Sequence, residues 1–373
     1  MNPGLEVQII AILVSLCCSL LGVFLVLKKQ AMLSDAISHT ILLGIVLGFF
    51  VVHNINSFLL IFGAALVGIL TVFLTDALTK TRIISSDSAI GIISPLLCSI
   101  GLVLISQFAS NVHLDMDSVL LGELAFAPFD RLVLFGIDFG AKSIYVMLLI
   151  LILNITFIII FYKELKLSTF DQSLAVILGF SPILINYLFM GLVSITAVSA
   201  FNAVGSILVI SLMVGPPITA YLITEDLKKM LIIAGGIGIV NAVVGFQVAS
   251  LFDISIAGTI STVTGVVFLM TLLVSPKHGV IMTLINRAKQ KRIYILHALL
   301  FHLYNHEDTQ IESEEASLKT ICEHLNWTNK QLDKILNYAQ KNGYVIMKDG
   351  LIKLTECGRR YTIQEYQSLI ESI

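Results

Sequence analysis

In the stretch MLSDAISHT, residues 32–40, Asp35 and His39 stand four apart, directly ahead of the unbroken apolar run ILLGIVLGFFVV. On a helix, residues at i and i+4 share one face a turn apart. An acid at the centre of a membrane helix costs roughly 2.5–3.5 kcal/mol on insertion scales. Such a pair persists if its members satisfy each other, line a water-filled path or bind a cation. One carboxylate oxygen and one imidazole nitrogen form a borderline ligand set that suits manganese, zinc or ferrous iron. Two ligands hold an ion loosely, which fits an ion in transit. The plainer alternative is an internal pair in which His39 donates a hydrogen bond to Asp35. Ser34 and Ser38 flank the pair, and Gly44 and Gly48 would let a neighbouring helix approach. If the helix starts at Lys29, Asp35 lies about 9 Å along it.

The rest of the chain must hold that helix in a bilayer. Of its 373 residues, 57% are hydrophobic and only 13% charged, far below the quarter usual for soluble domains. At about 20 apolar residues per crossing, nine spans are expected, near 5–27, 31–51, 57–78, 88–108, 143–162, 183–201, 203–223, 230–251 and 256–275. Alternate connections carry Lys28/Lys29, Lys80/Arg82, Lys163/Lys166, Lys228/Lys229 and Lys277, whereas VVHNINS, FNAV and LFDISIAG carry no Lys or Arg. The positive-inside rule then places the N-terminus outside and the polar tail in the cytosol. Arg131 and Lys142 are exceptions, within a region 109–142 too polar to span and expected to be re-entrant or to lie on the outer surface. The N-terminus MNPGLEVQ has no basic n-region, so the first apolar run reads as a retained span. Cys17, Cys18, Cys98, Cys322 and Cys357 have no paired or metal-type spacing and read as packing residues. Asn186, Thr196, Ser199, Asn202, Asn241 and Gln247 read mainly as interhelical hydrogen-bonding residues. His53, His113, Asp115 and Asp117 read as solvated outer loop.

Within 163–182, FDQSLAVILGF has apolar residues at helical spacing. It reads either as a short amphipathic helix suited to docking a soluble subunit or as a plain surface connection. After residue 280 the chain becomes polar. Residues 316–325 and 328–341 read as two helices, with Thr328 a candidate N-cap, and YVIMKDGLIKLT as a hairpin turning at Asp-Gly. Lys330, Lys334 and Lys341 face Asp333 and an acidic stretch with Glu312, Glu314 and Glu315. That is too little basic stripe for a DNA reader. His297, His302 and His306 do not share one face, and a metal sensor built on them is a weaker alternative. No G-x-x-x-x-G-K-[ST] occurs; AGGIGIV at 234–240 lacks the lysine. The chain is therefore not expected to be an enzyme by itself.

The segment LKKQAMLSDAISHTILLGIVLGFF resembles the second-helix motif of membrane subunits in the manganese/zinc/iron family of ABC importers. Similarity continues through DSAIGIISPLLCSIGLVLIS, LDMDSVLLGEL, FYKELKLSTFDQSLAVILGF, AVGSILVISLMVGPPITAYLI and LLVSPKHG. The resemblance implies a permease, homodimeric or pseudo-dimeric, fed by an extracellular metal-binding lipoprotein or periplasmic binding protein. It would be driven by cytoplasmic ATPase subunits that bind the ATP. It carries metal ligation onto Asp35 and His39 and ATPase coupling onto Thr169, Phe170, Asp171, Ala175 and Gly179. No permanently bound cofactor is implied; the divalent metal is cargo. Gly-Pro-Pro at 215–217, where many relatives have a single proline, leaves the kink there open. The tail resembles the N-terminal winged helix of iron-dependent metalloregulators.

The expected architecture is an all-α polytopic membrane protein of about 8–9 transmembrane helices, residues 1–280, with a small cytoplasmic α+β winged-helix-like domain, residues 281–373. Two rival readings are a proton-coupled secondary transporter using Asp35–His39 as a relay, and a membrane-anchored metal-responsive regulator.

Overall fold

The computed structural model describes residues 3–52, 58–108, 124–134, 137–275, 279–307, 309, 316–348 and 350–371. Two compact units divide at Gly279/Val280. Among the described residues of the first, nine helices are long and apolar enough to cross a membrane. They lie in α1 (Pro3–Leu27), α2 (Ala31–Val52), α3 (Phe58–Lys80), α4 (Ser86–Phe108), α5 (Lys142–Ile160), α8 (Pro182–Val204), α9 (Ser206–Ile223), α10 (Leu227–Phe252) and α11 (Ile256–Val274). Two short helices, α6 (Tyr162–Phe170) and α7 (Gln172–Ile177), connect α5 to α8.

α1 is the centre of one group. It packs against α5, α9 and α10 and buries Ile10, Ala11, Val14, Cys17, Cys18 and Leu21 completely. Gly22 permits that contact, because a Cβ there would run into the Met213 carbonyl and come within 2.7 Å of Pro217 Cγ. The carbonyl is available because Pro217, four residues on, has no N–H to give it. α9 nevertheless runs unbroken through Pro216 and Pro217. In the second group α2 packs against α3 and α4. A Cβ on Gly63 of α3 would lie 2.7 Å from the Gly44 carbonyl of α2, so the backbones touch where Gly44 suggested a close approach. α8 joins the groups by packing on both α1 and α3.

Polar side chains inside the bundle join neighbouring helices. Thr71 donates to Thr40 (2.9 Å), Thr196 to Asn154 (3.2 Å) and Asn241 to Thr264 (3.2 Å). Between α4 and α5 a 3₁₀ turn, Leu124–Phe129, packs against α1, α5, α8 and α11. A hairpin of β1 (Arg131–Leu134) and β2 (Ile137–Ala141) follows, with an irregularity between Arg131 and Val133. The two cations that broke the charge pattern each meet an acid. Arg131 lies 3.4 Å from the fully buried Glu6, and Lys142 lies 3.9 Å from Asp130. His53, His113, Asp115 and Asp117 lie outside the described residues.

The second unit runs α12 (Val280–His306), α13 (Leu318–His324), α14 (Asn329–Lys341), β3 (Val345–Lys348), β4 (Leu351–Leu354) and α15 (Glu356–Glu371). Thr328 opens α14 in a capping box with Gln331. β3 and β4 pair antiparallel from Val345↔Leu354 to Lys348↔Leu351. Gly350, with φ +79°, supplies the left-handed backbone of the turn; Asp349 lies outside the described residues. Leu296, Leu299 and Leu300 of α12 join Ile321, Ile335, Val345 and Ile352 in one core. His297 bonds Tyr361 at 3.0 Å, whereas the ring of His302 lies near those of His306 and His324. Among the described residues no group of three or more His, Cys, Asp or Glu side chains is arranged to hold a metal ion.

Candidate functional site

A tight turn sets the start of α2. Lys29 adopts φ +58°, and the Gln30 N–H returns to Leu25 O (2.8 Å) while Lys29 N–H reaches Val26 O (3.0 Å). This is a Schellman closure of α1 with lysine in the left-handed position usually given to glycine. Lys28 turns inward: its Nζ donates to Asn186 Oδ1 (3.0 Å) and lies 5.1 Å from the centre of the Phe189 ring. Burial pulls its pKa down to about 8.

One turn into α2, the helix divides its polar residues between two faces. Ser34 and Ser38 point inward and bond back to the carbonyls of Ala31 and Asp35. Asp35 and His39 are on the other face, with side chains 51% and 52% exposed. Met32, three residues before Asp35, is exposed on the same face, whereas Leu43, one turn after His39, is buried. Asp35 Oδ1 and His39 Nε2 lie 3.6 Å apart. That is within ion-pair range but beyond a hydrogen bond, and both side chains of the pair are half-exposed. Behind it, Ser38, Asn202 and Ser206 line a narrow cleft between α2 and the α8–α9 junction.

The segment expected to form one amphipathic helix is divided. Thr169 and Phe170 close α6, and Thr169 Oγ1 donates to Leu165 O (2.6 Å). Asp171 is extended (φ −148°, ψ 95°) and caps α7 by accepting from the Leu174 N–H at 2.9 Å. The division follows from that cap, because an aspartate that bonds the next turn's amide competes with continuing the helix. Ala175 is buried, while Phe170, Leu174, Val176, Ile177 and Leu178 are exposed, Ile177 to 80%. Gly179, with φ +84°, ends α7, and Phe180 N–H returns to Ala175 O (3.0 Å). The result is a short capped knob, apolar outward and pinned inward by Ala175.

Beside the knob lies a cleft of about 670 Å³ lined by Lys28, Lys29, Asp76, Arg82, Thr169 and Gln172, among others. Sequence reasoning had used those basic turns only to set orientation. Their convergence with Thr169 depends on which helix ends meet in space, and linear spacing does not carry that. The buried Glu6 was missed as well; its one signal was a lone acid in the first turn of an apolar span.

The fold agrees with what the chain resembles. It is 41% identical over 355 residues to the zinc transport system membrane protein TroD of Treponema pallidum, covering 95% of this chain and 96% of that protein. It is 42% identical over 278 residues to the manganese transport system membrane protein MntD of Bacillus subtilis, covering 74% and 94%. Among solved structures, PsaBC from Streptococcus pneumoniae in complex with Fab superposes with a TM-score of 0.62 at 26% identity, covering 74% of this chain and 94% of that one. With nine candidate spans and a family model that matches residues 5–275, this chain belongs to the ABC 3 transport family.

Proposed function

We propose that this chain is the membrane subunit of an ATP-driven importer of divalent transition metal, with Asp35 and His39 as ligands of the ion in transit. One observation carries the reading: the pair is half-exposed on a helix of membrane-spanning length, its two members 3.6 Å apart in ion-pair range but not hydrogen-bonded. Lipid cannot solvate a carboxylate, so that face is covered in use. A second copy meeting it across a two-fold axis would bring two carboxylates and two imidazoles together. Such a set suits manganese, zinc or ferrous iron. The names of the relatives, zinc and manganese transport proteins, point to the same cargo.

In this reading the N-terminus is outside and the tail cytosolic, as the basic turns favour. The knob of α7 docks a cytoplasmic ATPase subunit, which binds and hydrolyses ATP; the permease is not itself an enzyme. Metal arrives from an extracellular binding protein. The helix, helix, hairpin order of the tail supports a winged-helix-like regulatory or dimerisation domain. Its mixed charge does not favour DNA. The test is uptake by proteoliposomes holding this chain, its ATPase and its binding protein, measured for each metal with and without ATP. ATP-dependent uptake that Asp35→Ala or His39→Ala abolishes supports the reading. Uptake by the chain alone on a pH gradient would instead establish a proton-coupled transporter.

A further inference from the structure

Helix α12 is built from two unlike halves. Residues 296–303 enter the core of the second unit through Leu296, Leu299, Leu300 and Leu303. Residues 280–292 are exposed at every position, about 20 Å of helix with solvent on all sides. A free-standing helix in water is polar all round, and this one is not. Its first turn and a half carries Val280, Ile281, Met282, Leu284 and Ile285, the last two 59% and 55% exposed. Arg287, Lys289, Lys291 and Arg292 follow immediately, and no acidic residue occurs anywhere in 280–306. Arg292 lies over the Tyr338 ring at 5.6 Å. Arg287, Lys289 and Lys291 have no ion-pair partner among the described residues.

We propose that residues 280–292 of α12 form a membrane-surface anchor for anionic phospholipid, with the apolar turn at the acyl boundary and the cations on lipid phosphates. Three observations converge. The apolar stretch rises about 9 Å along the helix and is exposed throughout, so this end of α12 presents an apolar tip with no protein over it. The basic stretch follows it at once, at the level where phosphates would lie, and no acid opposes it. Only five residues separate Val280 from the end of α11 at Val274. The chain therefore holds this segment within about 20 Å of a span's end. Nucleic acid would meet the charge but leave Leu284 and Ile285 in water.

The full chain in lipid nanodiscs provides the test, read by hydrogen–deuterium exchange of the amides of 281–292. In discs containing phosphatidylglycerol, exchange should slow relative to purely phosphatidylcholine discs, and added salt should reverse part of the difference. Each cation near an anionic surface shifts partitioning by about fivefold. The triple variant Arg287→Gln/Lys289→Gln/Lys291→Gln should therefore lose most of the lipid-dependent protection. Emission from Trp327, the chain's single tryptophan and packed at the tail core, reports that the variant remains folded. Equal exchange in both lipids, or protection that survives the triple substitution, overturns the proposal. Protection that appears in phosphatidylcholine discs only when duplex DNA or the ATPase is added assigns the helix to that partner and overturns it too.

Discussion

At the scale of single residues, the question is whether Asp35 and His39 serve the fold or the cargo. Side chains that are half-exposed and 3.6 Å apart contribute little packing and no mutual hydrogen bond. Replacing either by alanine should therefore change thermal stability by no more than about 0.5 kcal/mol. Ion uptake, by contrast, should fall at least about tenfold, equivalent to about 1.4 kcal/mol of lost binding. Uptake and the melting temperature of the same preparations check both halves. A structural pair would give the opposite result, with lost stability and retained uptake. The ligand role also sets the sign of a pH effect. Metal must displace protons from its ligands, so uptake at fixed subsaturating metal should weaken as acid charges imidazole, and raised metal should restore it.

At the scale of elements, α7 is a short capped helix with an apolar outer side, the segment proposed to dock the ATPase. Alanine can occupy the left-handed backbone of Gly179 only at a cost of about 1–2 kcal/mol. Gly179→Ala should thus leave the membrane bundle intact and loosen the knob, seen as reduced ATPase stimulation by the assembled transporter. Ile177→Asp should be more severe, because it places a charge at the most exposed apolar tip. Co-purification of the ATPase with each variant separates the two effects. The sequence showed that FDQSLAVILGF was amphipathic but not that Asp171 splits it from the helix before. An aspartate mid-pattern reads equally well as a solvated helix position or as a cap. Where local chemistry was unambiguous, the reading carried through: Thr328 with Gln331 formed a capping box, and Gly350 took the hairpin's positive φ. The spans were legible because hydropathy alone marks them. Which side of α2 faces outward was not, because Leu33, Ile37 and Ile41 are buried while Met32, Leu47 and Val51 of similar apolarity are exposed.

For the whole molecule, the exposed face of α2 around Asp35 and His39 and the separate tail unit each carry a consequence. If two copies meet along α2, a cysteine at Met32, exposed on the same face as the Asp35–His39 pair, would lie near its symmetry mate. Met32→Cys should then form an intermolecular disulfide under mild oxidation, and metal at the Asp35–His39 sites should alter its yield. A monomer band under all conditions would leave the pair without its second half. The tail raises the converse question, whether transport needs it at all. The family model ends at residue 275, and the manganese relative is covered to 94% by an alignment that leaves about a quarter of this chain unmatched. The zinc relative, in contrast, aligns over 95% of this chain. A transporter of this family thus works with almost no length to spare for such a unit, while another carries it. The tail has its own core, centred on Leu299 and Ile321. A chain ending at Gly279 should therefore still import metal with ATP, with its half-saturating metal concentration unchanged. What it should lose is any response of uptake to cytosolic conditions, measured by loading proteoliposomes with metal or altering their lipid charge. If truncation abolished uptake in a preparation that still bound the ATPase, the tail would belong to the transport machinery rather than to its control.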